Sequence, residues 1–145
     1  MPSLRALAIE SLTVKADRVV CEFTLAPGFP RTTFPELTKL IVNKFPSLPQ
    51  HSCVNPKGTT FQSVMESTSI PHLLEHLVID IQAQNSIDAT TTFVGTSEWT
   101  EKARGKARVE VSFADDLSVL RAFRDASNIL DAALVECGDQ SATER

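Results

Sequence analysis

The chain has 145 residues, of which 42% are hydrophobic and 22% are charged, and its formal net charge is −4 at pH 7. This composition is typical of one compact globular domain and excludes a broadly disordered chain. The sequence contains no run of Lys or Arg that could follow a phosphate backbone, so nucleic acid is not an expected partner.

The cysteines and the hydropathy indicate the compartment. The three cysteines are Cys21, Cys53 and Cys137, and an odd number without C-x-x-C spacing argues against a disulfide framework. The first residues lack the features of a secretory signal. The longest apolar-rich window, residues 71–81, is too short and too polar to span a bilayer. We therefore expect a cytoplasmic protein with no membrane partner.

The start of the chain predicts a β-hairpin. Residues 3–14 and 18–26 are rich in apolar and β-branched side chains, and the intervening residues 15–17 predict the turn. In the second segment, apolar and more polar side chains alternate, which predicts one dry and one wet face. The side chains expected on the dry face are Val19, Cys21, Phe23 and Leu25.

Helices are predicted in the middle of the chain. Residues 32–45 predict a helix with Thr32 or Thr33 as its N-cap and Pro35 in its first turn. A short helix is predicted over residues 60–66. A longer helix is predicted next, over residues 69–84.

The last third predicts two strands and a helix. Residues 90–99 and 107–114 predict the strands. Asp115 or Asp116 is the expected N-cap of the final helix, and Gly138 is the residue expected to end it.

The order of these elements is ββααββα, which predicts an α+β fold. We expect a mostly antiparallel sheet of about four strands, with the helices packed on one face. The expected organisation is a single domain over residues 1–137 and a flexible C-terminal tail over residues 138–145.

The helix predicted over residues 69–84 is apolar on most sides, yet one face carries His72, Glu75 and His76. These positions, i, i+3 and i+4, share one helical face. A helix apolar on so many sides is usually buried, and burying polar groups without partners costs about 2–7 kcal/mol each. A divalent metal would satisfy both imidazoles and leave Glu75 to hold a metal-bound water, as in the reversed zinc-protease motif H-x-x-E-H.

A catalytic zinc takes three protein ligands, so a third one is needed. Cys53 is the first candidate, because its thiolate would complete a His₂Cys set, and His51 is the second. Later acidic residues, which reversed zinc proteases commonly use, are the third possibility: Glu110, Asp125 or Glu136. Without a metal, both helix histidines would be core residues bonded to main-chain carbonyls, and Glu75 would lie at the surface.

The H-x-x-E-H motif belongs to a longer pattern that begins upstream with an H-x-C motif. The residues of this pattern are His51, Cys53, Gly58, Phe61, His72, Glu75, His76 and Gln82. This pattern resembles part of the N-terminal domain of cyanophycin synthetase. The resemblance implies a domain that holds a branched polymer of aspartate and arginine and that, in some members, cuts it into primers as a metal-dependent hydrolase. It also implies that His72 and His76 bind the metal beside Cys53 and that Glu75 is catalytic.

The sequence departs from the family's pattern at two places and lacks a phosphate loop. Asp80 stands where the family usually has Glu, and the segment around Gly95 lacks the family's nearby arginine. The 145 residues contain no G-x-x-x-x-G-K-[ST] phosphate loop, so we expect no ATP-dependent polymerisation by this chain. Its substrate is then expected to be some other peptide or the same Arg-rich polymer.

Three functions compete at this point. The leading hypothesis is a zinc-dependent amide or peptide hydrolase, in which Cys53, His72 and His76 bind Zn²⁺ and Glu75 is the general base. The second is a non-catalytic module that binds a peptide or polymer. The third is an accessory partner of a separate ligase. The sequence predicts neither the oligomeric state nor whether catalysis is retained, and imidazole ligands also suit other transition metals.

Overall fold

The computed structural model describes residues 5–88 and 90–143, and its largest unit is a four-stranded antiparallel sheet. The strand order is β1-β2-β6-β5. In chain order the elements are β1 (Leu7–Val14), β2 (Arg18–Leu25), α1 (Pro35–Lys44), β3 (Ser52–Asn55), β4 (Gly58–Thr60), α2 (Ile70–Asn85), β5 (Gly95–Glu101), β6 (Lys106–Ser112) and α3 (Asp116–Thr143). The predicted α+β class is confirmed, and β3 and β4 form an additional small hairpin.

One face of the sheet is dry and lies beneath α2 and α3. The predicted alternation in β2 is confirmed, because Val19, Cys21, Phe23 and Leu25 are all buried. Buried residues of β6 continue this face, since Cys21 pairs with Val109 and Phe23 pairs with Ala107. Burial of this apolar surface between the sheet and the helices is the main source of stability for such a layer.

A β-bulge lets β1 keep its apolar side chains on the dry face. Ile9 pairs with Phe23, but the register shifts before Ser11 pairs with Glu22, which leaves one extra residue in β1. Leu12 is thereby opposite Cys21, on the same face as Ile9. Strict alternation would have turned Leu12 towards solvent, so the bulge resolves a conflict that the sequence alone does not reveal.

The predicted caps of α1 are wrong. The N-cap is Phe34, without a side-chain cap hydrogen bond, rather than Thr32 or Thr33. The buried hydroxyl of Thr33 donates to the carbonyl of Met65 at 2.8 Å and accepts from the amide of Thr68 at 2.8 Å. This hydroxyl is used to join α1 to the segment that precedes α2, a long-range contact that a local capping pattern does not predict.

The short helix predicted over residues 60–66 is present as 3-10 structure and is not one continuous α-helix. Two 3-10 turns, Phe61–Ser63 and Met65–Ser67, occupy this segment after β4. The amide of Val64 bonds the carbonyl of Phe61 at 3.1 Å, three residues back, instead of continuing to the fourth.

Two further boundaries differ from the predictions. The strand predicted from residue 90 begins only at Gly95, and the helix predicted to end at Gly138 continues to Thr143. A glycine inside a helix costs about 1 kcal/mol relative to alanine, which a packed helix tolerates. The flexibility of the predicted tail stays a prediction, and residues 144–145 lie outside the described residues.

The predicted start of α2 is confirmed. Ser69 is its N-cap, its hydroxyl accepts from the amide of His72 at 3.2 Å, and Pro71 lies in the first turn. The sheet and α3 both pack against α2, which buries most of its circumference. No helix in the described part of the chain is long and apolar enough to cross a membrane.

Candidate metal centre

Helix α2 and strand β3 bring three predicted ligands together. Cys53, on β3, faces one turn of α2 that carries His72 and His76, and one ligand atom from each residue lies within 4.8 Å of the other two. The thiol sulfur of Cys53 is 3.5 Å from Nε2 of His72. Of the three predictions for the third ligand, the structure therefore brings Cys53 to the helix histidines.

The sulfur-to-nitrogen separation fits one shared metal ion. Zinc bonds of about 2.3 Å to sulfur and about 2.0–2.1 Å to nitrogen place two tetrahedral ligands about 3.6 Å apart. The 3.5 Å between Cys53 and His72 is close to this value. Thiolate and imidazole are also the ligand types that zinc prefers.

A threonine holds the ring of His72. The hydroxyl of Thr68 is 2.8 Å from Nδ1 of His72, so this nitrogen is occupied and Nε2 remains on the side of Cys53. Thr68 is itself fixed, because Thr33 donates its amide to the carbonyl of Thr68 at 2.7 Å and accepts the amide of Thr68 at its hydroxyl. Thr33, just before α1, thus supports the imidazole of the candidate ligand His72 through one intermediate residue, Thr68.

His51 contacts His76 but is not one of the three grouped residues. Nδ1 of His51 is 3.0 Å from Nδ1 of His76, and Nε2 of His51 is 2.8 Å from Oδ2 of Asp80. The remaining nitrogen of His76, Nε2, is the atom available to a metal. His51, the second candidate for the third ligand, is consequently a neighbour of the candidate ligand His76.

Phe61 forms an apolar wall behind both imidazoles. Its ring stacks on His76 with centroids 4.1 Å apart and planes 20° apart, and it meets His72 edge-on at 5.1 Å. The side chain of Phe61 is fully buried. Aromatic contacts of this kind are directional, so Phe61 restricts the rotation of both rings.

The side chain of Asn55 organises the hairpin around Cys53. Its Nδ2 donates to the carbonyl of Cys53 at 2.9 Å and lies 3.7 Å from the thiol sulfur. The same nitrogen donates to the carbonyl of Thr60 at 3.2 Å, across the hairpin. Asn55 therefore holds together the two strands of the hairpin that carries Cys53.

Burial keeps the imidazoles neutral. It lowers the pKa of His72, and it lowers the pKa of His76 to about 3, with additional repulsion from His72 and His51. Neutral imidazole is the form that binds metals, so both rings have a nitrogen lone pair at pH 7.

Glu75 lies beside the imidazoles and is buried, with 7% of its surface exposed. Burial raises the pKa of this carboxyl to about 7, and a hydrogen bond with Ser97 opposes the rise. Gly95 leaves room for it, since a Cβ at that position would lie 2.9 Å from Cγ of Glu75 and 2.8 Å from the carbonyl oxygen of Glu110. The alternative in which Glu75 lies at the surface is therefore wrong.

An open cavity of about 680 Å³ contains these groups. Cys53, His72, Glu75 and His76 line it together with Gly95, between β3, α2 and β5. Five hydroxyl side chains also line it: Ser52, Ser69, Thr92, Thr96 and Ser97. Within the described residues no Lys or Arg is part of the lining, so the cavity has no cationic group for an anionic ligand.

The three distal acids have other surroundings. Glu110 accepts from Arg18 at 2.6 Å on the wet face of the sheet, and Asp125 accepts from its neighbour Arg124 at 3.1 Å. Glu136 is exposed on α3. The structure brings none of them to the cavity of His72 and His76.

A model of a known protein family matches residues 18–135, and this family is the cyanophycin synthase-like N-terminal domain. The match covers well over half of the chain. The chain belongs to this family. No curated protein matches it. Both motifs of this cyanophycin synthase-like domain, H-x-C and H-x-x-E-H, lie inside the matched residues. The resemblance seen in the sequence is therefore confirmed at the level of the family. The comparison with reversed zinc proteases stays a prediction.

Sequence reasoning missed several residues that support the site of this cyanophycin synthase-like domain. Thr33, Asn55 and Thr68 carry no metal-site signal, because their contacts depend on how separate segments pack. Asp80 could have been assigned to the site from the sequence, because it follows His76 by four residues and so shares its face of the predicted helix. The structure shows that Asp80 is buried. A buried carboxylate at that spacing indicates a polar partner from outside the helix.

Proposed function

We propose that this cyanophycin synthase-like domain is a zinc-dependent hydrolase of amide bonds, with Cys53, His72 and His76 as metal ligands and Glu75 as general base. The observation that carries the proposal is the convergence of these three ligand side chains beside a buried carboxylate in one open cavity. A bound zinc ion would polarise the substrate's carbonyl and lower the pKa of water at the site.

Glu75 is the residue that moves protons. In hydrolysis, the oxygen of water forms a bond to the carbonyl carbon while the carboxylate of Glu75 accepts a proton from that water. The same carboxyl then gives the proton to the amide nitrogen as the C–N bond breaks, which yields a carboxylic acid and an amine. Gly95 lies directly against Glu75, and both residues line the cavity, so the carboxyl of Glu75 is placed at the cavity wall.

The cavity favours a substrate without a large negative charge at the scissile bond. Hydroxyl side chains can bond a main-chain amide, and the described lining has no Lys or Arg to attract an anion. A peptide amide is the substrate class that fits this lining. The Arg-rich polymer associated with the family and an ordinary unbranched peptide are the two candidates.

The test begins with the metal content of the purified protein, measured by elemental analysis. Wild type and Glu75→Gln are then incubated with zinc and either substrate, and the products are measured by mass spectrometry. General-base catalysis contributes about 10²–10⁴-fold to rate, so we expect Glu75→Gln to lose activity by about this factor. Glu66→Gln is the matched control, because Glu66 is an exposed carboxylate outside the cavity.

Two outcomes contradict the hydrolase. One is a wild-type protein that binds no metal, and the other is equal cleavage by wild type and Glu75→Gln. Polymer binding that survives a chelator and the His72→Ala substitution would favour the non-catalytic binding module. Co-purification with a ligase from the native host would favour the accessory role.

A further inference from the structure

We propose that the outer edge of strand β5 binds the substrate as an added β-strand, so that an extended peptide main chain passes through the cavity. The substrate is then a peptide in an extended conformation, recognised mainly through its main-chain amides. The occupant is one peptide segment, paired with residues 95–97 on the side away from β6. Because this binding mode belongs to the proposed hydrolase, it rests on that function and deepens it.

Strand β5 lies at one end of the sheet. The strand order β1-β2-β6-β5 leaves β6 as its one paired neighbour among the residues that the structure describes. An edge strand has a row of main-chain N–H and C=O groups that are open to pairing with another strand. Domains that bind peptides by strand addition use an edge of this kind.

The hydrogen bonds at the start of β5 determine which of its main-chain groups face outwards. The carbonyl of Val94 accepts the amide of Ser112 at 2.8 Å, and the amide of Val94 donates to the hydroxyl of Ser112 at 2.9 Å. Both main-chain groups of Val94 thus point to the end of β6. Successive residues of an antiparallel strand alternate in this respect, so the groups of Thr96 point to β6 and those of Gly95 and Ser97 point away from it.

The cavity borders this outer edge. Residues 92–97 line it without a gap, and the last three of them belong to β5. Side chains of a strand alternate between its two faces, so a cavity over one face would be lined by every second residue. An unbroken run of lining residues indicates a cavity that follows the main chain. Residues 52–54, on β3, are also consecutive in the lining.

The edge lies directly beside the proposed catalytic groups. A Cβ at Gly95 would be 2.9 Å from Cγ of Glu75, so the main chain of β5 at this position is adjacent to the proposed general base. His72 and His76 line the same cavity from α2. A peptide paired with residues 95–97 is thus placed beside the groups that would act on one of its amide bonds, as efficient cleavage requires.

The exposed apolar side chains of the cavity also fit a peptide. Val54 and Val94 both line it, and 90% and 64% of their surfaces are exposed. Apolar side chains of a bound peptide can bury these two valines, which is favourable. Main-chain pairing and this apolar contact together favour a peptide over a small polar ligand.

The first experiment measures amide hydrogen exchange by NMR in Glu75→Gln with excess zinc, since loss of the proposed base keeps the peptide intact. The probes are three acetylated and amidated hexapeptides, of alternating Ala-Ser, Val-Thr or Leu-Gln sequence. We expect bound peptide to slow exchange of the amides of Gly95 and Ser97 by at least about 10-fold. The amide of Thr96, which points to β6, is the internal control and should exchange slowly with or without peptide.

Two results of this experiment overturn the proposal. One is that none of the three peptides binds, and the other is binding that leaves exchange at Gly95 and Ser97 unchanged. Slow exchange of these two amides in the free protein, more marked at higher protein concentration, would indicate pairing with a second copy of the chain and would also overturn it.

The second experiment removes main-chain hydrogen bonds from the peptide. An added strand bonds β5 through every second amide, so N-methylation of successive peptide amides should weaken binding in alternation. Isothermal titration calorimetry with Glu75→Gln measures the affinities. Equal losses at all positions would contradict strand addition, and this test leaves the strand β5 itself unchanged.

The third experiment removes one outward amide from the protein. Ser97→Pro lacks this amide, and an edge strand tolerates proline where the N–H faces outwards. Ser97→Ala is the matched variant, because it loses the same hydroxyl but keeps the amide. Loss of one hydrogen bond predicts about 2–10-fold weaker peptide binding in Ser97→Pro than in Ser97→Ala. Equal affinities would contradict the proposal, and if Ser97→Pro does not fold, the N-methylation series decides.

The outcomes distinguish this binding mode from the proposed function. Peptide binding at β5 by a wild type that binds no zinc would contradict the hydrolase and leave the strand site standing. Cleavage of the peptides by a wild type whose β5 amides are unaffected by peptide would contradict the strand site and leave the hydrolase standing.

Discussion

Helices α2 and α3 cover the same face of the sheet, but they bury different kinds of side chain. Four polar or charged residues of α2 are buried: Glu75, His76, Asp80 and Gln82. Among the described side chains of α3, Ser127 is the one buried polar residue, and its hydroxyl donates to the carbonyl of Arg124 in its own helix at 3.0 Å. The rest of the buried face of α3 is apolar, as in an ordinary packing helix.

This difference between the two helices indicates which of them carries the candidate functional groups. Three of these four side chains have a hydrogen-bond partner in another segment: His76 contacts His51 at 3.0 Å, Asp80 contacts His51 at 2.8 Å, and Gln82 donates to the carbonyl of Ser112 at 3.0 Å. Buried polar groups are costly unless they are bonded, so a helix that only fills a core is not expected to carry four of them. Their concentration on α2 indicates a site.

The largest expected effect comes from a matched pair of fully buried phenylalanines. Phe61→Ala and Phe123→Ala should each lower the free energy of unfolding by about 3–5 kcal/mol, because each removes a core ring. Only Phe61 touches the imidazoles, so zinc affinity should fall in Phe61→Ala alone. Urea denaturation measures stability, and chelator competition measures affinity in the folded variants. Equal zinc affinity in both would remove the functional distinction between the two regions.

A smaller effect is expected where α3 holds the first strand. Oδ1 of Asp131 accepts the amides of Ala6 at 2.6 Å and Leu7 at 3.0 Å. Asp131→Ala leaves both amides without this partner and should lower the free energy of unfolding by about 1–3 kcal/mol, with zinc affinity unchanged. Asp125→Ala, which removes an exposed carboxylate, is the control and should change stability little. Equal loss in both variants would mean that Asp131 does not anchor β1.

The smallest expected effect is a pH dependence of stability that is caused by Asp80 on α2. Burial raises the pKa of Asp80, but hydrogen bonds from His51, Gln84 and Ser47 outweigh it, so the net pKa is below the ordinary 3.8. A lowered folded-state pKa contributes stability above the unfolded value and loses it as the pH falls through the folded value. Wild type should thus exceed Asp80→Asn in thermal midpoint at pH 6, and this difference should shrink below about pH 4. A difference that stays constant down to pH 2.5 would contradict the assignment.

Features that depend only on residues close together in the sequence were predictable from the sequence. Alternation in β2 and the cap, first turn and length of α2 are local patterns, and they were found where predicted. The common face of His72, Glu75 and His76 follows from helical periodicity alone, and so does the candidate metal motif. The α+β class follows from the order of such segments.

Only the tertiary structure decided which partners reach that face. Cys53 lies on the short strand β3, and His51 and Thr68 lie in irregular segments, so their spacing in the chain did not show which of them would reach the histidines of α2. The bulge in β1 likewise reflects competition between pairing and burial across strands. Local geometry sets the direction of side chains within one element and so places His72, Glu75 and His76 on one face of α2, whereas packing between distant segments sets what that face touches.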